Sequence, residues 1–226
     1  MERQELKKLI KKEFDGLLNS YGYYQIGTSQ YWFREKNHVL GVIAFEPVSS
    51  GYRTVYAVDP LYYGHTTLGI AHGSYMDREK RLDHKLYDLD MDASDEKIYE
   101  NIDRIKSFFI SEGFKTLSDY CDPKVLTNLK FGVSCDQLNA YSKLYTEDYE
   151  GAYKWFETEI KKHHKRGGRE CDVLHSQHEL ILSLLENKNR KELVTSFLKY
   201  QINISRNSII GFKTLFDIEY NAKKLN

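Results

Sequence analysis

The densest group of potential metal ligands in the chain is the stretch KKHHKRGGRECDVLHSQH, residues 161–178, which contains four histidines and one cysteine. Structural zinc sites usually supply their ligands as close pairs separated by two to five residues. Here the cysteine has no such partner, and the only pair with suitable spacing is formed by two of the histidines. The spacing therefore argues against a metal site. The residues that such a site would use are Cys171, His175 and His178, together with His163 or His164.

The same stretch has the composition of a connection between two helices. Basic side chains at 161–166 would lie in the last turn of a helix, where they interact with unpaired carbonyl groups. Gly167 and Gly168 would supply the positive-φ cap. Either Asp172 or Ser176 would then cap the helix that follows. We therefore predict a turn between helices and no metal in this segment.

The five cations at 161–169 could also hold phosphate or nucleic acid. Nucleic-acid interfaces usually take basic residues from several elements, and this chain balances 33 basic against 33 acidic residues. No overall field draws it toward a polyanion. Nucleic-acid binding through this segment is therefore the third of the functional hypotheses.

A second set of side chains could carry out acid–base chemistry if the predicted strands brought them together at the opening of one pocket. An enzyme or a small-ligand carrier, with its pocket between sheet and helices, is accordingly the alternative hypothesis. No cofactor is expected, because the chain has no phosphate-cradling glycine loop and no dinucleotide fingerprint. The candidate residues are Asp59, His65, His72 and Asp77.

A stripe of tyrosines indicates a possible protein-binding surface. The pattern predicts one helix that also carries Trp155 and Phe156. Such a stripe is most often part of a core, but an exposed aromatic ridge is also typical of protein-binding hot spots. The tyrosines recur at every fourth position, as Tyr141, Tyr145, Tyr149 and Tyr153.

These candidates are positioned by an α+β scaffold. Apolar residues at helical spacing predict an amphipathic N-terminal helix that ends near Gly22. Residues 31–63 predict three strands and residues 66–72 a fourth, joined by short connections as an antiparallel meander with the helix on one face. After Asp92 the apolar residues recur at helical spacing, which predicts a series of helices. Gly113 is predicted to end the first of them. We expect an α+β domain at 1–130 and a helical region at 131–226, either separate or packed on the first.

Cysteine usage and hydropathy predict a compartment. The three cysteines form no Cys-x-x-Cys pair, and their odd number is a poor basis for a disulfide framework. The N-terminus has no apolar signal-peptide core, and no apolar run approaches the roughly 20 residues of a membrane span. We expect a cytoplasmic protein without a membrane partner; the sequence leaves its oligomeric state open.

Three features of the first 130 residues carry a resemblance. They are a helix ending at Tyr21-Gly22-Tyr23, an aromatic strand at 31–34 and an apolar strand at 39–45. Together they resemble a family of small bacterial α+β proteins classed as a domain of unknown function. Some similar small proteins act as immunity proteins, which bind and block a toxin. The resemblance implies no catalytic residue and favours a non-enzymatic, immunity-like protein-binding module, with a protein as its partner.

Overall fold

The computed structural model of the protein describes residues 1–25, 30–64, 88–129, 132–163 and 169–208. Within these ranges an N-terminal helix and an antiparallel sheet are followed by helices, which confirms the predicted α+β class. The strands are β1 Tyr24–Gln25, β2 Tyr31–Lys36, β3 Val39–Val48, β4 Gly51–Pro60 and β5 Leu89–Asp90. The helices are α1 Arg3–Ser20, α2 Asp95–Phe108, α3 Phe114–Tyr120, α4 Pro123–Leu126, α5 Gly132–Tyr145, α6 Tyr149–His163, α7 Arg169–Glu186 and α8 Arg190–Ser208.

Helix α1 forms where the sequence predicts it and ends in a glycine cap. Gly22 has φ +80°, and its N–H donates to the carbonyl of Asn19 at 2.9 Å. The N–H of Tyr23 reaches back to the carbonyl of Leu18 at 3.0 Å, which completes a Schellman motif. The buried stripe of the helix is Leu6, Leu9, Ile10, Phe14 and Leu18.

The sheet is an antiparallel meander in the order β1-β2-β3-β4-β5, as predicted, but it has five strands in the described residues and not about four. The three strands predicted at 31–63 are present, and the strand predicted at 66–72 lies outside the described residues. Strands β1 and β5 were not predicted, because a strand of two residues is too short to show an alternating pattern.

Helices α1 and α2 cover one face of this sheet. The Phe14 ring of α1 lies 4.7 Å from the Phe45 ring of β3, measured between centroids. Tyr56 of β4 meets Phe109, just after α2, edge-on at 6.1 Å. Residues 39–45 of β3 are buried without alternation, so both faces of that strand are covered.

The helix that begins at Asp95 does not end at Gly113 as predicted. Its chain continues through a π-helical turn, Phe109–Gly113, directly into α3. Gly113 has φ −60° and is no left-handed cap. A Cβ at Gly113 would lie 2.6 Å from Cδ1 of Phe109. Position 113 therefore requires glycine because an aromatic ring packs against its backbone, and not because a helix ends there.

The start of α2 supplies a test of the capping assignment. Ser94 Oγ accepts a hydrogen bond from the Lys97 N–H at 3.3 Å. We expect Ser94→Ala to lower the free energy of unfolding by about 1 kcal/mol. Urea denaturation followed by circular dichroism measures this loss. Ser107→Ala, at an exposed position in the same helix, should be neutral or slightly stabilising; equal losses in the two variants would contradict the assignment.

The predicted helix–turn–helix segment is helical on both sides, but neither residue predicted to cap the second helix does so. Helix α6 ends at His163 and α7 begins at Arg169, so Asp172 and Ser176 lie inside α7 and not at its start. The glycine cap predicted within 164–168 lies outside the described residues. Among the helices described, none is both long and apolar enough to cross a membrane.

Candidate functional site

The four tyrosines predicted to line one helix are divided between two helices. Helix α5 ends at Tyr145 and α6 begins at Tyr149, after a turn in which Glu147 has φ +65°. The Asp148 carboxylate accepts a hydrogen bond from the Gly151 N–H at 3.0 Å and so caps α6. The prediction of a single helix was wrong. The turn between α5 and α6 has three residues, so Tyr145 and Tyr149 are four positions apart in sequence although they belong to different helices.

The first two tyrosines pack against the sheet half of the molecule, with Tyr141 buried and Tyr145 half-buried. Tyr141 is 1% exposed, and its ring meets Tyr63 edge-on at 4.9 Å. Tyr145 stacks on Tyr62 at 4.4 Å, and its hydroxyl oxygen lies 2.8 Å from Nδ1 of His38. Burial raises the pKa of Tyr141 and of Tyr145. These two residues join the helical half to the sheet half.

The other two tyrosines line an open groove between α6, α7 and α8, which we call the tyrosine groove. The Arg190 guanidinium carbon lies 5.5 Å from the centroid of the Tyr149 ring, in a cation–π contact. The Tyr153 hydroxyl donates to Glu186 at 2.8 Å, and this bond is the main cause of its raised pKa. Burial is the main cause of the raised pKa of Tyr149. The groove residues are Tyr149, Glu150, Tyr153, Leu185 and Arg190.

These contacts fix the shape of the groove before anything binds. Leu185 is 5% exposed and forms an apolar floor, whereas Arg190 and Glu150 are exposed at the rim. Both tyrosine side chains are half-buried and held by a partner on a neighbouring helix or turn. A side chain that is already ordered loses little conformational entropy on binding. The groove therefore presents two oriented tyrosine rings above an apolar floor.

The predicted acid–base set is described in part. Asp59 is 3% exposed, near the end of β4. It pairs with Leu40, which in turn pairs with Glu35, so Asp59 and Glu35 lie on the same face of the sheet, two strands apart. His65, His72 and Asp77 lie outside the described residues, and their convergence with Asp59 stays a prediction.

Polar contacts fasten α8 to the end of the sheet where Asp59 lies. A guanidinium nitrogen of Arg206 is 2.5 Å from a carboxylate oxygen of Glu35. The Ser205 hydroxyl donates to the Leu61 carbonyl at 2.8 Å. Gly64 has φ +81°, and a Cβ there would lie 1.8 Å from Oε1 of Gln201. This junction therefore holds the helical half in place, and its described contacts are structural.

His38 takes part in the same junction from an uncommon backbone conformation. Asn37 and His38, the two residues of the β2–β3 turn, have φ of 54° and 58°, as a type I′ turn requires. Glycine is the usual residue at the second position of this turn. The His38 ring contacts Tyr145, which a glycine at this position could not do. Nothing in that contact alone indicates catalysis.

The predicted metal alternative has one side chain that is described. His178 is 2% exposed, and its ring packs edge-on against Trp155 at 5.6 Å and Phe156 at 5.2 Å. The side chains of Cys171 and His175 lie outside the described part of the chain. Among the residues that the structure describes, no group of three or more histidine, cysteine, aspartate or glutamate side chains is placed to hold a metal.

The basic segment 161–169, which the third hypothesis treats as a nucleic-acid site, is also described in part. Lys161 pairs with Glu157 at 2.9 Å and Lys162 pairs with Glu159 at 2.5 Å, both within α6. Ion pairs of this kind are typical of a solvated helix face. The other three cations, Lys165, Arg166 and Arg169, have side chains outside the described part.

The sequence did not indicate three residues of the tyrosine groove, namely Glu150, Leu185 and Arg190. Leu185 and Arg190 follow Tyr153 by more than 30 positions and reach it because α7 packs beside α6 and α8 begins directly after α7. The helical period of α7 predicts that Leu185 faces inward, but periodicity cannot say which helix it meets. Comparison of the chain with protein-family models, curated proteins and solved structures found no match. The chain's function must accordingly be inferred from its own surfaces.

Proposed function

We propose that the protein is a non-enzymatic protein-binding module and that the tyrosine groove is its docking surface. One observation carries the proposal: two half-buried tyrosines and an exposed arginine are held in fixed positions around an open groove with an apolar floor. An immunity-like role, in which the module acts by covering its partner, is the form that we favour.

The residue types in the groove are those that dominate protein-binding energetics. Tyrosine and arginine are enriched among hot-spot residues, where truncation to alanine costs about 2 kcal/mol or more of binding free energy. Tyrosine offers a large contact area with few rotatable bonds. Tyr149 and Tyr153 lie one helical turn apart on α6, so both rings can contact the same inserted side chain.

A double variant tests the proposal. Tyr153→Ala combined with Arg190→Ala should change the free energy of unfolding by no more than about 1 kcal/mol for each site, because neither side chain is in the core. Its affinity for the partner should fall by roughly 30-fold or more. Affinity capture from an extract of the source organism, with mass spectrometry and then calorimetry on the captured protein, measures this loss.

Tyr99→Ala is the matched control for this experiment. Tyr99 is 46% exposed on α2 and lines neither this groove nor the one beside it. The control should capture the same partner as the wild type with the same affinity. A partner held equally by the wild type and the double variant would contradict the assignment of the docking surface, and a wild type that captures nothing specific would contradict the proposed function.

A further inference from the structure

A second groove lies beside the tyrosine groove, along the α7–α8 turn and the outer face of α8, and we call it the lysine groove. All of its lining side chains are exposed, and three of its four charged residues are lysines. Hydroxyl and amide groups supply the rest of the lining. Its residues are Lys188, Asn189, Lys191, Glu192, Thr195, Ser196 and Lys199.

The positive charge of the lysine groove is incompletely neutralised by the protein itself. Lys191 pairs with Glu147 at 2.9 Å. Among the described residues, Lys188 and Lys199 have no ion-pair partner within 4.0 Å. The one acidic side chain in the lining is Glu192. The groove therefore offers two cations to carboxylates brought by another molecule.

The two grooves share no lining residue but adjoin in the chain at the α7–α8 turn. Arg190 lies at the rim of the tyrosine groove, and its sequence neighbours Asn189 and Lys191 line the lysine groove. A single extended segment that crosses the α7–α8 turn could therefore enter both. Complementary charges at the rim of an interface mainly raise the association rate and discriminate between partners, whereas the apolar anchor supplies most of the affinity.

We propose that the partner docks through a segment rich in aspartate and glutamate. Its acidic side chains lie in the lysine groove, and a neighbouring aliphatic or aromatic side chain fills the tyrosine groove. This inference rests on the proposed function, because it names the chemistry of the partner for the same docking surface.

A protein segment fits this surface better than single-stranded nucleic acid, which also combines negative charge with flat rings. Nucleic-acid bases bind by stacking on the open faces of aromatic rings. The Tyr149 ring already carries the Arg190 guanidinium over its face. That face of the ring is therefore not open to a stacking base.

Selection from a random peptide library tests this inference and does not require the partner to be identified first. A displayed library of random 12-residue peptides is selected on the wild-type protein and depleted on the Tyr153→Ala, Arg190→Ala double variant. We expect the recovered peptides to be at least twofold richer in aspartate and glutamate than the input. A recovered peptide should bind Lys188→Glu, Lys199→Glu about tenfold more weakly than the wild type, and its affinity for the wild type should fall with added salt.

A charge-reversed control and a nucleic-acid probe complete the experiment. Lys115→Glu, Lys162→Glu changes the net charge equally at two exposed lysines outside both grooves and should bind as the wild type does. Apolar peptides without acidic enrichment would overturn the acidic-segment inference but leave the docking surface intact. Failure to recover any peptide sensitive to the double variant would contradict the docking surface itself. Tighter, Lys188- and Lys199-dependent binding of a labelled oligouridine would overturn the inference in favour of RNA.

Discussion

Replacement of Gly51 by alanine is expected to destabilise the protein by more than about 3 kcal/mol, or to prevent folding. Gly51 has φ +154°, and a Cβ there would lie 1.9 Å from the carbonyl oxygen of Leu89. That oxygen belongs to the backbone of β5, which pairs with β4 at this point and cannot rotate away as a side chain can. The new methyl group must therefore separate the two strands. Urea denaturation followed by circular dichroism measures the loss.

Gly16 provides the matched control for this prediction. It lies in the exposed part of α1, and a Cβ there would meet nothing within 4 Å. Gly16→Ala should stabilise the protein by about 0.5–1 kcal/mol, because alanine has the higher helix propensity. A Gly51→Ala variant within about 1 kcal/mol of the wild type would mean that β5 does not approach β4 as closely as described.

The second large effect is a loss of stability at alkaline pH. Burial raises the pKa of the Cys121 thiol from its ordinary value of 9.0 to about 12. Above pH 9 the unfolded chain loses this proton and the folded protein keeps it, so deprotonation favours unfolding. The free energy of unfolding should fall by about 1.4 kcal/mol per pH unit, or roughly 4 kcal/mol between pH 9 and 12. Below pH 9 the thiol is protonated in both states, and the stability is fully retained.

Three buried tyrosines add to this effect from about pH 10 upward. Burial is the main cause of the raised pKa of Tyr23, Tyr62 and Tyr141, which are each 1% exposed or less. Urea unfolding at pH 8, 9, 10 and 11 measures the fall, and absorbance at 295 nm reports tyrosine ionisation. In a Cys121→Ala variant the fall should begin near pH 10 and not near pH 9. A wild type equally stable at pH 8 and pH 11 would contradict the burial of these groups.

Much of the scaffold could be predicted because its signals are local. The apolar stripe of α1 and the three long strands each depend on residues close together in sequence. The close approach of an aromatic ring at Gly113 could not be predicted, because a glycine required by side-chain packing and a glycine that ends a helix look alike in sequence. The two-residue strands β1 and β5 could not be predicted either. They form by pairing with a longer strand and are too short to show an alternating pattern.

The candidate site was less predictable than the scaffold, for a physical reason. The spacing of four identified the tyrosines, but it did not reveal the turn that places Tyr141 in the core and Tyr153 in a groove. The contact of Arg190 with Tyr149 joins residues 41 positions apart, which no local pattern records. A groove lined from three helices becomes visible once their packing is known.

The most direct test of the docking surface is site-specific photo-crosslinking in living cells of the source organism. Benzoylphenylalanine placed at Tyr153 puts the reactive group inside the tyrosine groove, whereas the same residue at Tyr99, which is 46% exposed on α2, reports on a surface outside both grooves. We predict that the position 153 variant forms one predominant protein adduct that the position 99 variant lacks, and that Arg190→Ala in the same chain weakens it. The same adducts at both positions, or none at position 153, would contradict the tyrosine groove as the docking surface.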